Sequence, residues 1–356
     1  MKASILGPLA AAALLVGCSS SSSRPRQQYP QQYPQQGYPQ QQQYPQGQYP
    51  QQQPYPQQQG QYPQQPYPNG QQQPQQPPQQ QPQQRPLLAP LIGSAMMQQE
   101  VRSILGELIA ALPATEQSRV RGIPLAFDST LEINAYAGCE KGAPFMAGTE
   151  GILQAVDAIA QTNATDQMYG TRTYEAYLQA VLPRLVRGEN VSPALPFGTI
   201  PPQYLAVPQR LSRAREIFQE VIAFTFGHEL AHHYLGHTGC ANGQALPGAP
   251  ALATLGHLAT GVMPFLNQPN ESASDAWGAN NALDAGLRRT PASYRWSEAG
   301  GLLLLEFFAR LEQAAGGSTN VLSPVNLLRS HPNPGLRIPL VRNAIAQWYS
   351  RHPGVR

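Results

Sequence analysis

Residues 227–237 restrict the fold of this chain more than any other stretch, and they read Gly-His-Glu-Leu-Ala-His-His-Tyr-Leu-Gly-His. On an α-helix, residues four apart differ by about 40° in direction and about 6 Å in height, so His228 and His232 face the same way. Such a pair suits two corners of a zinc tetrahedron, and Glu229 beside the first histidine suits a general base. The pattern predicts a long helix, residues 211–235, that carries a metal site. The alternative is a chance match, because four of the chain's seven histidines fall in this stretch.

A catalytic zinc site takes three protein ligands and leaves one position open. A metzincin would draw the third ligand from a histidine at position 238, preceded by a glycine at 235. This chain has Thr238 and Leu235 there. On an ideal helix His237 would lie about 180° around from His228, so it is not expected to be a ligand.

A glutamate on a later helix is the other source of a third ligand. Residues 270–275 read Asn-Glu-Ser-Ala-Ser-Asp, and Glu271 lies 39 residues after His232. Asp275, one helical turn beyond Glu271, would face the same way and accept the Nδ1–H of a ligand histidine. The prediction is a glutamate-type zincin that holds one Zn²⁺ per chain. The alternative for Glu271 and Asp275 is a solvated helix face.

The N-terminal residues 1–17 are typical of a secretory signal peptide, because their apolar run is too short to span a membrane. They end in Leu-Val-Gly followed by Cys18, which resembles a bacterial lipobox. The resemblance implies lipidation of Cys18, and Ser19 favours the outer membrane, facing the periplasm. A plain signal peptide with an incidental cysteine is the alternative. The expected location is therefore the bacterial cell envelope, with membrane attachment through the lipid.

Residues 18–86 carry repeats of Gln, Pro and Tyr with almost no charge and no aliphatic side chains. A segment of this composition cannot bury a core and is predicted to be a disordered linker. It is interpreted as a tether, or alternatively as a docking strip for an envelope partner.

Residues 87–356 are enough for one domain. The net charge of +3 is too small to indicate nucleic acid as a partner. Periodicity predicts short strands at 123–127, 131–136 and 143–147, a surface loop at 186–207 and otherwise mainly helices. The helices are expected at residues 96–112, 152–160, 172–185, 211–235, 252–266, 270–284, 296–315 and 339–348. The expected fold class is α+β, mostly helical, with a small sheet and a long active-site helix.

Several segments in order resemble the zinc peptidases of the HtpX and CAAX prenyl endopeptidase type. The likeness covers residues 120–345 and rests on four segments. The HExxHxxxxH segment is residues 228–237, and the Asn-Ala-aromatic strand pair is residues 134–149. The ExxxD pair is Glu271 with Asp275, and the closing His-Pro…Arg segment is His331 with Pro332 and Arg337. With no membrane-spanning run in the domain, the chain is similar to the periplasmic beta-barrel assembly-enhancing proteases. The resemblance implies a zincin-like domain acting on unfolded or extended envelope proteins, as in protein quality control.

The family mechanism implies zinc on His228, His232 and Glu271, with Glu229 as general base. An extended peptide would add a strand at the edge formed by residues 143–147. His331 and Arg337 are candidates for a donor to the oxyanion, with Tyr294 a weaker one. Alternatively, His331 holds the enzyme latent or is an ordinary loop histidine, and Arg337 pairs with a carboxylate.

The remaining cysteines, Cys139 and Cys240, form an even pair, which predicts a disulfide in an oxidising compartment. Two separate buried thiols are the alternative. The functional hypothesis is a zinc endopeptidase. The competing hypotheses are a catalytically idle zinc-binding lipoprotein that binds clients or acts as an adaptor, and an interaction protein whose Gln-Pro-Tyr segment is the functional part.

Overall fold

The computed structural model describes residues 86–188, 191–240, 268–290, 295–316, 331 and 333–355. The predicted signal peptide, Cys18, the predicted linker, the helix expected at residues 252–266 and Tyr294 all lie outside the described residues. The described part is mostly helical with one small sheet, which agrees with the predicted α+β class. No helix in this part is long and apolar enough to cross a membrane.

The helices and strands of the described residues are numbered in the order in which they occur along the chain. They are α1 (Ser94–Ala111), α2 (Ala114–Val120), β1 (Leu125–Asp128), β2 (Ala135–Glu140), β3 (Ala143–Thr149), α3 (Glu150–Tyr169), α4 (Thr173–Val186), α5 (Pro202–Leu205), α6 (Pro208–Tyr234), α7 (Gln268–Leu287), α8 (Ala299–Ala314) and α9 (Pro334–Arg351). Neither of the short helices α2 and α5 was predicted from the sequence.

The sheet has the order β1-β3-β2, in which β3 pairs parallel with β1 and antiparallel with β2. A two-residue turn joins β2 to β3, and both of its residues have positive φ, 50° at Lys141 and 81° at Gly142. Such turns match the twist of a hairpin. The turn sets the register from Glu140 opposite Ala143 to Ala135 opposite Gly148. It therefore places β2 four residues later than the strand predicted at 131–136.

The prediction that residues 143–147 form an edge of the sheet is wrong, because these residues lie in β3, the central strand. All seven residues of β3 are buried, and the strand is hydrogen-bonded on both sides. The error arises because the partner of β1 could not be read from local periodicity. The strand that packs most closely against α6 is β2, an outer strand of this sheet.

Helix α6 occupies the centre of the domain, and α1, α3, α7, α8 and strand β2 pack against it. Every residue from 220 to 234 is buried. A helix buried on all sides must satisfy its polar side chains internally, because burial without a partner costs about 1–3 kcal/mol per group in proteins. The histidines and glutamate of the motif therefore lie in the interior of the domain.

The contact between α6 and α7 depends on a glycine pair. A Cβ added to Gly278 would lie 2.6 Å from the backbone nitrogen of His228 and 2.9 Å from the carbonyl carbon of Gly227. No side chain can occupy this contact without moving one helix away from the other. The same two helices carry the predicted ligands, so the glycines determine how closely those ligands approach.

Replacing Gly278 by Ala is expected to lower the free energy of unfolding by about 1–3 kcal/mol, because the added methyl overlaps backbone atoms. It should also reduce zinc content, since α7 carries Glu271. Chemical denaturation and metal analysis measure both effects. The matched control is Gly106→Ala on α1, where no described atom lies within 4 Å of the added Cβ and a gain of about 0.5–1 kcal/mol is expected. Equal stability of the two variants would contradict the packing argument.

Candidate metal centre

His228, His232 and Glu271 come together in the interior between α6 and α7, and each is at least 96% buried. Nε2 of His228 lies 3.0 Å from Nε2 of His232. The Glu271 carboxylate lies 3.5 Å from the first of these nitrogens and 3.4 Å from the second. The spacing of four within α6 brings the two imidazoles to one face, as predicted, and the glycine contact brings the carboxylate to them.

These three side chains fit a metal ion. Bonds of about 2.0–2.1 Å in a tetrahedron separate neighbouring ligand atoms by about 3.3 Å, close to the spacings observed. Oε1 of Glu271 is buried and has no hydrogen-bond partner among the described residues. These three buried side chains therefore form a group that could hold a metal ion. The donor set of two imidazoles and one carboxylate suits Zn²⁺.

Asp275 supports the first ligand from behind. Nδ1–H of His228 donates to Oδ1 of Asp275 at 2.8 Å, which leaves Nε2 of the ring directed at the other ligands. Arg337, near the start of α9, donates to both oxygens of Asp275 at 2.7 Å. Arg337 therefore pairs with a carboxylate, which was one of its two predicted roles; the other was donation to an oxyanion. Its remaining nitrogen, Nη1, lies 3.0 Å from Oε2 of Glu271.

His331 also contacts the third ligand. Its Nδ1 lies 2.9 Å from Oε2 of Glu271, and its Nε2 lies 3.2 Å from the carbonyl oxygen of Ala135 in β2. Both contacts are with acceptors, so both ring nitrogens donate. Burial alone would lower the pKa of His331, but the Glu271 carboxylate outweighs it and raises that pKa to about 9.

The neighbouring charges keep the two acidic side chains ionised despite their burial. Burial raises the pKa of the Glu271 carboxyl, but His331 and His232 outweigh it and hold that pKa well below its ordinary value. Burial likewise raises the pKa of Asp275, and the Arg337 guanidinium reverses the direction and lowers it. The carboxylate of Glu271 is therefore available as an anionic ligand.

Glu229 lies on the wall of a cavity beside the candidate ligands. The cavity has a volume of about 30 Å³ and is lined by His228, Glu229, His331 and apolar side chains that include Phe224, Leu304 and Phe308. A volume of this size accommodates one or two water molecules. Oε2 of Glu229 is buried and has no hydrogen-bond partner among the described residues. A carboxylate with a free oxygen beside a water-sized cavity is suited to take a proton from water.

Cys139 in β2 and Cys240, six residues after the end of α6, are joined by a disulfide, with 5.7 Å between their Cα atoms. The bridge connects the outer strand β2 to the segment that follows α6. The structure thus brings together the cysteines that the sequence paired. His233, expected to be an ordinary packing residue, is buried and donates from Nε2 to the carbonyl of Phe145 at 3.0 Å.

Comparisons of the chain with protein-family models, with curated proteins and with solved structures find no match. The geometry of the site therefore carries the functional argument.

His237, which was not expected to be a ligand, contacts one of the candidate ligands: its Nδ1 lies 3.1 Å from Nδ1 of His232. Ser274, which was not predicted to have a role, lies 3.1 Å from the same nitrogen of His237. Gly236, directly before His237, is the sequence feature that could have indicated this position of His237. Glycine favours the backbone conformation that ends a helix and reverses the chain.

Proposed function

We propose that this chain is a zinc-dependent endopeptidase with a zincin-like domain, related to the HtpX and CAAX prenyl endopeptidase family. One observation carries the proposal. Three buried ligating groups, His228, His232 and Glu271, lie within 4.8 Å of one another, and Glu229 lies next to them on a cavity wall. This donor set is that of zinc hydrolases with two histidines and one glutamate.

Zinc bound by His228, His232 and Glu271 would polarise a scissile carbonyl and lower the pKa of water. Glu229 would take a proton from the attacking water and later deliver it to the leaving amine. Asp275 and Arg337 hold the His228 ring in place. His331 keeps one oxygen of Glu271 occupied, so the other oxygen remains for the metal.

We propose that an extended substrate segment pairs with β2 rather than with β3. β2 is an outer strand of the described sheet and runs from the His331 contact at Ala135 to the disulfide at Cys139. Main-chain pairing of this kind gives affinity with little dependence on sequence. Unfolded or extended envelope proteins are therefore the proposed substrates, which accords with a role in protein quality control.

The proposed location is the bacterial cell envelope, with attachment through lipid on Cys18 and the Gln/Pro/Tyr-rich segment as a tether or docking strip. The disulfide between Cys139 and Cys240 supports this location, because structural disulfides persist in oxidising compartments.

The position of His331 favours a second candidate, a zinc-binding protein without catalysis that binds clients or acts as an adaptor. Nε2 of His331 lies 3.8 Å from Oε1 of Glu229, and both side chains line the same cavity. A ring in this position would keep water and substrate from the open corner of the metal.

Metal analysis and proteolysis of the purified full chain test the proposal. We expect one zinc per chain and cleavage of denatured casein that stops when a chelator removes the metal and resumes when zinc is restored. Zinc without cleavage would overturn the peptidase proposal in favour of the idle zinc-binding protein. A chain that binds no zinc would overturn both.

A further inference from the structure

The C-terminal end of α6 carries a histidine whose position the peptidase mechanism does not explain. His237 lies three residues beyond Tyr234, the last helical residue, and its ring is half-buried. If the helix continued, His237 would point away from the site. Its observed position against His232 therefore depends on how the helix ends.

The helix ends in a Schellman motif built on Gly236. Gly236 has a φ of 82°, a left-handed conformation that glycine adopts without a steric penalty. The N–H of His237 donates to the carbonyl of His232 at 2.8 Å, and the N–H of Gly236 donates to the carbonyl of His233 at 3.0 Å. These two bonds define the motif. They turn the chain back over the last turn of α6.

This reversal brings the His237 ring onto the ring of His232. The ring centroids lie 5.1 Å apart, and the two Nδ1 atoms are separated by 3.1 Å. Oγ of Ser274, one residue before Asp275 on α7, lies 3.1 Å from the same Nδ1 atom of His237. His237 therefore contacts both helices of the candidate metal centre.

The direction of the hydrogen bond follows from the arrangement of the ligands. Nε2 of His232 faces Nε2 of His228 and Oε1 of Glu271, so this nitrogen is the one available to a metal. A neutral imidazole that ligates through Nε2 carries its hydrogen on Nδ1. Nδ1 of His237 lies within hydrogen-bond distance of this Nδ1, at 3.1 Å.

We propose that His237 is a positioning residue that accepts the Nδ1–H of His232 and keeps this ligand in the tautomer whose Nε2 binds the metal. The inference rests on the proposed function, because it concerns the same metal ligands. Asp275 does the same for His228 through the bond at 2.8 Å. The two ligand histidines therefore have different supports, a carboxylate for one and a neutral imidazole for the other.

Three substitutions of His237 in the full chain separate hydrogen bonding from packing. His237→Leu and His237→Ala remove the acceptor. In His237→Asn, the Oδ1 atom of the asparagine would occupy nearly the same place as Nδ1 of the histidine and would accept the hydrogen bond. We expect the first two to weaken zinc binding by about 10–100-fold, as the loss of such partners does elsewhere. His237→Asn should retain most of the affinity. His352→Leu, at the residue that follows the end of α9, should leave affinity unchanged.

Zinc affinity is measured by competition with a chromophoric chelator, and the ligand geometry by the visible absorption of the Co²⁺-loaded chain. Equal affinity of all variants would overturn the inference, as would equal loss in Asn, Leu and Ala. The order wild type, Asn, then Leu and Ala would support it. This order in a chain that does not cleave casein would overturn the peptidase proposal alone. Equal affinities in a chain that does cleave casein would overturn the inference alone.

Discussion

Replacing Glu229 by Gln is expected to lower the rate of peptide hydrolysis by about 10²–10⁴-fold, because the amide cannot take a proton from water. The substitution preserves the size of the side chain and its place beside the cavity. Glu229 is not among the three proposed ligands, so zinc content and the free energy of unfolding should stay close to those of the unchanged chain. Initial rates on a quenched fluorescent peptide and metal analysis measure the two effects.

The same helix offers a matched control for this substitution. Glu216 lies on α6, is about one-third exposed and pairs with Arg213 at 3.1 Å. An exposed ion pair of this kind contributes about 0–1 kcal/mol, so Glu216→Gln should retain zinc and the full rate. Hydrolysis by the Glu229→Gln chain at a rate within tenfold of the unchanged chain would exclude Glu229 as the general base.

Removing the disulfide by the double substitution Cys139→Ser and Cys240→Ser is expected to lower the free energy of unfolding by about 2–5 kcal/mol. The bridge joins residues that are 101 positions apart. A link over so long a loop restricts the unfolded chain strongly, and its loss releases that restriction. Urea denaturation under non-reducing conditions measures the change.

Reductant provides the control for the disulfide. The unchanged chain should lose the same stability when dithiothreitol is added, whereas the double variant should not respond. Cys18→Ser, which lies outside the pair, should behave as the unchanged chain does. If the double variant and the unchanged chain unfolded at the same urea concentration without reductant, the bridge would make no contribution to stability.

The local parts of the candidate site could be predicted well from the sequence. The interval of four between His228 and His232, and between Glu271 and Asp275, specifies a shared face as soon as each segment is helical. The positions of α6 and α7 along the chain were accordingly predicted to within a few residues.

The sheet shows where local pattern was insufficient. Residues 143–147 were correctly predicted as a strand, yet their place in the centre of the sheet depends on parallel pairing with β1. The periodicity of one strand does not indicate which other strands pair with it. The register of β2 was set by the turn at Lys141 and Gly142, a feature that the strand prediction did not use.

His237 and Arg337 show the same division within the site. An extrapolated helix placed His237 on the wrong side, because a reversal at Gly236 changes direction within two residues. The sequence left two roles open for Arg337, donation to an oxyanion and pairing with a carboxylate. The approach of α9 to α7 puts it on Asp275.

The sequence by itself determined which residues can act chemically, because the spacing along one helix sets the direction of its side chains. Only the tertiary structure decided which of them meet. The distance between Glu271 and the two candidate ligand histidines depends on the contact of Gly278 with the backbone of α6. The support of His232 depends on the end of a helix folding back upon it. These are contacts between segments far apart or reversed in direction, and the periodicity of a single element carries no information about them.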